Sequence, residues 1–489
     1  MRKGLRLPLI AAAALAAGAV ALTAMLSSRL GNEPAGERAA SAPAAEPAGD
    51  AAERPLRYDV EYPAVGYSTT PTTDRISALA QTLADGRATL EHSAPRGYLD
   101  SLLEALQIDP ASQVLVFSAT SLQVGNIRAS TPRAIYFNDD VYVAWVQGGG
   151  PIEIASMDPK LGPVFYTLDQ TEPPQFDRQM EQCLRCHDSL SLTGGGVPRF
   201  IVGSGYIGAQ GNVVAHEGWI LTTQRTPLRN RFGGWYVTGR HGDQVHLGNI
   251  VVRNIADLTD LESLRVGNLD DLDGRVDMTP YLAPGSDIVA LLVLQHQVDV
   301  QNEIARVGYR VRTLLPDTGR DGTRSSGEPE DPAVRERIAE LTEPLVETML
   351  FVGEAEITSP ITGSSSFQER FEQRGPRDRR GRSLRELDLT RRLLRYPLSY
   401  LVYSEAFDAL PGPAKAYVYR RFGEILRGED RSEKFAHLSP ADRTAVLEIL
   451  ADTKPEIVPA LERSAAAEPP SSPAGAQALP EPGRGERGG

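Results

Sequence analysis

Cysteine is almost absent from this chain: Cys183 and Cys186 are the only two in 489 residues. One thiol pair can build neither a disulfide framework nor a four-cysteine zinc site, so both are excluded. Lysine is nearly as scarce. It occupies positions 3, 160, 415, 434 and 454 only, which rules out a docking face made from a ring of lysines and leaves the basic residues nearly all arginine. The net charge of -13 offers no positive surplus for a nucleic-acid backbone, so no nucleic-acid partner is expected. Long hydrophobic runs are missing after Leu26, while 41 % of the residues are hydrophobic. That combination describes a soluble body large enough to bury a sizeable core.

The ends have their own composition. Arg2, Lys3 and Arg6 precede an uncharged run from Leu7 to Leu26, with Ala19-Val20-Ala21 as a cleavage site, the pattern of an export signal. A run of about 20 apolar residues also suffices to remain as a membrane anchor. Residues 1–31 are therefore expected to be a signal peptide or N-terminal anchor. No cysteine follows the run closely, which excludes lipoprotein anchoring. Residues 32–55 and 464–489 are rich in Ala, Pro, Glu and Gly and read as a disordered linker and tail.

Between them the pattern changes midway. Asp74 to Gly86 and Gly97 to Ile108 have helical periodicity, and then short β-type runs follow at Gln113–Ser118, Arg133–Phe137, Val141–Val146, Ile152–Ala155 and Pro163–Leu168. Asn138-Asp139-Asp140 marks a hairpin turn. The sequence stays strand-like and Gly-rich through Asn249. From Ser286-Asp287, a cap, it becomes helical to about Leu315, and again at Pro332–Glu354, Ala414–Arg427 and Pro440–Ala451, with Asp317 to Pro332 as an exposed loop. The expected fold class is α+β, with a β-rich region at 56–285 and a helical region at 286–463 packed on it.

The chemistry is concentrated in Cys183-Leu184-Arg185-Cys186-His187. Cys-x-x-Cys-His is the attachment sequence of c-type haem: the two thiols become thioethers to the vinyl groups and the next imidazole ligates the iron. The alternative is a redox dithiol, which has no need of the histidine. One covalent haem c, held by Cys183, Cys186 and His187, is the expected cofactor. Attachment of haem c outside the bacterial cytoplasm agrees with the export signal, and a periplasmic location follows.

At this motif the chain is similar to c-type cytochromes. It departs from their small all-α domain, because a long, largely β-type segment precedes the motif. More broadly it resembles a group of large exported bacterial proteins with one such motif and no assigned activity. The residues carrying that resemblance are Gly234-Trp235-Tyr236-Val237-Thr238-Gly239, His241-Gly242, Gly248-Asn249, Ser286-Asp287-Ile288-Val289-Ala290, Gly375-Pro376-Arg377-Asp378 and Arg382-Ser383-Leu384-Arg385. The resemblance implies a shared architecture over most of the body and no particular reaction.

The sixth position on iron separates an electron carrier from an enzyme. His246 and His241, in a Gly-flanked loop that lets backbone approach a flat cofactor, are the first candidates. They also read as ordinary loop histidines. His296, inside an apolar helix, and Met278 are the alternatives, and a hydrogen-bonded core histidine is the commoner reading of His296. Gly194-Gly195-Gly196-Val197-Pro198 follows His187 and resembles the loop of small cytochromes whose proline carbonyl holds the imidazole N–H, with a plain Gly-rich turn as the alternative. The nine arginines of Arg374–Arg395 read as a solvated helix face. Asp270–Asp277 reads as an acidic loop lacking the last calcium ligand. Two functions follow. One is a periplasmic electron-transfer cytochrome with a redox partner protein. The other is a peroxidase- or oxidase-like haem enzyme acting on a small molecule at an open iron, suggested by the size of the body and the cluster Trp235, Tyr236, Arg240 and His241.

Overall fold

The computed structural model describes residues 60–214, 217–315 and 329–463. The export signal or anchor, the linker, the tail, His216 and most of the 317–332 loop lie outside the described residues. Among those described, no helix is long and apolar enough to cross a membrane.

Two helices open the body: α1 (Arg75–Ala84), capped by Asp74 through the N–H of Ile76, and α2 (Leu99–Ala105). A six-stranded antiparallel meander follows in sequence order: β1 (Val114–Val116), β2 (Arg133–Phe137), β3 (Val141–Trp145), β4 (Ile152–Asp158), β5 (Gly162–Leu168) and β6 (Phe176–Arg178). Asn138 makes the β2–β3 turn, its Oδ1 accepting from the N–H groups of Asp140 and Val141. The register pairs Ile135 with Ala144, Tyr142 with Ala155 and Ala155 with Phe165. Because side chains alternate along a strand, this puts Phe137, Tyr142, Glu153 and Phe165 on one face and Tyr136, Trp145 and Tyr166 on the other. Tyr166 Oη donates to Asp74, which seats α1 on that second face.

The chain then forms α3 (Glu181–His187) and α4 (Leu190–Thr193). The Gly-rich stretch up to Asn249 forms less strand than its composition suggests: only β7 (Gly203–Gly205), β8 (Trp219–Leu221) and the start of β9 (Gly239–Arg240), which pairs with β10 (Thr362–Gly363). Glycines at positive φ, such as Gly234 and Gly239, bend the rest into irregular loops that pack closely on neighbouring backbone.

Helix α5 (Ile288–Leu314) is capped by Asp287 and crosses the first face of the sheet. Ser286 accepts from Leu115 N–H at the β1 end, Gln297 and Gln301 both reach Tyr142 Oη over β3, and Tyr309 donates to the Leu161 carbonyl at the β5 end. The remaining helices are α6 (Pro332–Met349), α7 (Phe367–Gln373), α8 (Glu405–Asp408), α9 (Gly412–Leu426), α10 (Pro440–Thr453) and α11 (Val458–Arg463). A capping box of Ser439 and Asp442 starts α10. The fold is α+β, a β-rich half carrying the cysteine motif and then a helical half, and one continuous apolar core joins them.

The arginine-rich segment is solvated at six of its nine arginines, but it is not a helix face. Most of it is irregular, and its buried and half-buried arginines are held by ion pairs to distant acids, Arg385 to Asp139, Arg382 to Glu448 and Arg392 to Asp442, with a local pair between Arg382 and Asp378. Arg385 is buried and lies over the rings of Tyr400 (4.3 Å) and Phe371 (4.9 Å).

Candidate functional site

The motif Cys183–His187 forms most of the short helix α3, which follows β6 and lies over the first face of the sheet. Residues three apart share one side of a helix, so both thiols project together. They are not joined as a disulfide; Cys186 is exposed and Cys183 half-buried. Burial, with a contribution from Glu153, pushes the Cys183 thiol up to about 11. A redox dithiol needs the opposite, a thiolate stabilised by positive surroundings, so the environment disfavours the dithiol reading.

His187 packs on Phe165 of β5 in a tilted contact, with ring centroids 4.3 Å apart. Its Nδ1 lies 2.6 Å from the carbonyl oxygen of Arg199, while its own carbonyl accepts from Arg199 N–H at 2.9 Å. A carbonyl can only accept, so Nδ1 carries the proton and Nε2 holds the lone pair. Burial moves the imidazole down to about 4, which keeps it neutral. A neutral imidazole whose other nitrogen donates to a carbonyl is the arrangement expected of a metal-ligating histidine. The acceptor is one residue beyond the proline carbonyl expected from sequence. Asn302 of α5 fixes that acceptor's position, since its amide accepts from Phe200 N–H (2.9 Å) and donates to the Phe200 carbonyl (3.0 Å).

His241 and His246 are brought together, but elsewhere. Their ring centroids are 4.6 Å apart and each residue is 1 % exposed. His241 Nδ1 donates to the Gln244 carbonyl, and Nε2 and both nitrogens of His246 are buried without a partner. Burial and the adjacent His241 hold His246 down to about 3. The loop is fastened beyond β1: Tyr236 N–H donates to Leu115, Asn249 Nδ2 to Val237, and Thr238 N–H to the Ser286 carbonyl. His187 rests on β5 of the same sheet. The pair's neighbours, Phe232, Gln244 and Asn268, include none of those around His187. The loop is also tied to Arg231, since Leu247 N–H donates to the Arg231 carbonyl.

His296 and Met278 both pack into the body of the protein. His296 is a core histidine: Nδ1 donates to Gln224 Oε1 (2.6 Å), Nε2 accepts from Ser399 Oγ (2.9 Å), and the ring stacks on Phe351. Met278 leads into Tyr281, which packs edge-on against Trp145 on the opposite face of the sheet from His187. The suggested reactive cluster disperses as well. Trp235 Nε1 donates to Gly203, Tyr236 Oη to Ala129, and exposed Arg240 pairs with Asp270. Among the described residues no group of three or more His, Cys, Asp or Glu is placed to hold a metal ion.

No family model, curated protein or solved structure matches this chain.

A half-open cleft of about 140 Å³ next to the motif was not foreseen. Arg199 and Thr193 line one wall, Thr222 to Arg225 another, and Asp299, Asn302 and Glu303 of α5 the floor. Burial raises Asp299 to about 7, although the Gln224 N–H donates to its Oδ2 at 2.5 Å and Arg231 attracts it. An acid flanked by Val298 and Val300 inside an apolar helix was the sequence signal for it.

Proposed function

We propose that this is a periplasmic c-type cytochrome that carries one covalent haem on Cys183, Cys186 and His187 and transfers electrons to or from a partner protein. The observation that carries the reading is the lock of His187 Nδ1 on the Arg199 carbonyl, beside two unlinked thiols on one helical side. The residues fit the group. Nε2 is left as the only lone-pair nitrogen of the ring, and the Arg199 carbonyl raises its basicity. Next to the thiols Leu190 is 84 % exposed, an apolar side chain of the kind a porphyrin would cover. When bound, haem c supplies one-electron redox chemistry. The chain's part is to hold the imidazole neutral and oriented through Arg199 and Asn302, and to shield it from water with Phe165.

Haem staining after denaturing electrophoresis tests the cofactor. Colour that runs with the dye front, or that survives in a Cys183→Ala/Cys186→Ala variant, refutes it. Protease access in spheroplasts tests the location.

A second reading, a haem enzyme acting on a small molecule, is favoured by one observation: His296 spends both ring nitrogens on Gln224 and Ser399, which leaves it no lone pair for iron. An iron without a second strong protein ligand is high-spin in the ferric protein and changes its spectrum on adding cyanide. A low-spin spectrum unaffected by cyanide returns the weight to electron transfer alone.

A further inference from the structure

We propose that the cleft beside Arg199 binds a small carboxylate or oxyanion, with the Arg199 guanidinium as counter-charge and Asn302 and Thr223 as hydrogen-bond donors. The inference does not depend on the haem reading.

Arg199 is the anomaly. It is half-buried, its Nε is fully enclosed without a partner, and among the described residues its guanidinium makes no hydrogen bond or ion pair. A desolvated cation without a counter-ion is costly, and an arginine fork is suited to two parallel bonds with a carboxylate or oxyanion. The acids nearby do not satisfy it. Glu303 is taken by Arg306, whose Nε donates to Glu303 Oε2 at 2.7 Å. The other cation of the cleft, Arg225, is itself engaged, donating to the Val352 carbonyl and pairing with Glu347. One positive charge is thus left over in a half-open cleft with room for a small ion of a few heavy atoms.

Donors complete the site. Asn302 uses one Nδ2 hydrogen on the Phe200 carbonyl and keeps the other. Thr223 Oγ1 accepts from Arg225 N–H, so its own hydroxyl proton is unspent. Asp299 would repel an anion if ionised, but burial raises it to about 7, and in the neutral form it is a further donor. The charged groups acting on Asp299 are Arg231 and Arg225, which favour its ionisation, and Glu303, which opposes it. Glu354 shares Arg231 and is also raised to about 7. Binding should therefore weaken as the pH rises through 7.

The test is calorimetric titration of the purified full-length protein with sodium acetate and, separately, inorganic phosphate. Expected is one saturable site for at least one of the two anions, an affinity at least tenfold lower in Arg199→Gln, and no change in Arg128→Gln, an exposed arginine remote in sequence. Asp299→Asn should bind and lose the decline above pH 7. If Arg199→Gln fails to fold, Thr223→Val is read instead, with a loss of at least threefold expected. Equal affinity in the Arg199 and Arg128 variants, or no saturable binding in any form, overturns the proposal. Binding seen only in the Cys183→Ala/Cys186→Ala protein also overturns it, because the carboxylate that Arg199 pairs with would then be a propionate of the covalent haem and not a free anion.

Discussion

Replacing Asp299 by Asn should stabilise the protein at neutral pH and hardly at all under mildly acidic conditions. Asp299 lies 9 % exposed on α5, and burial raises its carboxyl from 3.8 to about 7 against the pull of Arg231 and the Gln224 N–H. Between those two values the folded protein keeps a proton on Asp299 that the unfolded chain has released. The native state binds more protons, so this residue makes stability fall as the pH rises from about 4 to 7, and the loss levels off above 7. About 3 pH units at ~1.36 kcal/mol each give a ceiling of roughly 4 kcal/mol, of which about half is a realistic expectation after relaxation and water entry. Asn carries no proton to lose, and its amide oxygen can still accept from Gln224. Urea unfolding of both proteins at pH 4.5, 5.5, 6.5 and 7.5 gives the stability difference at each pH, and contributions of all other groups cancel in it. The difference should grow steadily in favour of Asp299→Asn. A difference that is constant or shrinks with pH would show that Asp299 is ionised in the folded protein, and the account of the cleft floor would be wrong.

Glu354→Gln should behave in the same direction, since Glu354 is also buried and raised to about 7 beside Arg231, and the two changes should be less than additive in a double variant measured by the same melts. His296→Ala should cost about 2–4 kcal/mol, because it opens space under Phe351 and orphans Gln224 Oε1 and the Ser399 hydroxyl, yet leave the visible spectrum unchanged; a shifted spectrum with unchanged stability would make it an iron ligand after all. Arg385→Ala removes the pair with Asp139 and the contacts on Tyr400 and Phe371 and should lower stability by about 2–4 kcal/mol, whereas Arg379→Ala, on an exposed side chain, should stay within about 0.5 kcal/mol in thermal melts. Ser439→Ala should cost about 1 kcal/mol through loss of the capping box, read from the same melts.

Much of the secondary structure could be read from sequence because its causes are local. Alternation located β2 and β3 within a residue or so, the Asn138 turn joined them, and Asp287 and Ser439 marked helix starts with their own side chains. Cys183, Cys186 and His187 belong to the same class. Five consecutive residues on little more than one helical turn place two thiols and an imidazole together whatever the rest of the chain does.

What the sequence left open depends on partners far along the chain. The carbonyl that holds His187 comes from Arg199, and its position is set by Asn302 from a helix that crosses the sheet. His241 and His246 looked like partners for His187 because their loop has suitable residues. Where that loop lies is a matter of packing, which fastens Tyr236 to Leu115 of β1 while His187 rests on β5. The arginine-rich segment looked solvated throughout because Asp139, Asp442 and Glu448, which hold its buried and half-buried arginines, are nowhere near it in sequence. The unpaired Arg199 is the same case in reverse: a charge reads as ordinary in sequence, and only packing shows that it is enclosed without an acid to meet it. Local geometry is written in spacing, but pairing across the sheet and burial of charge are settled only when the whole chain has packed.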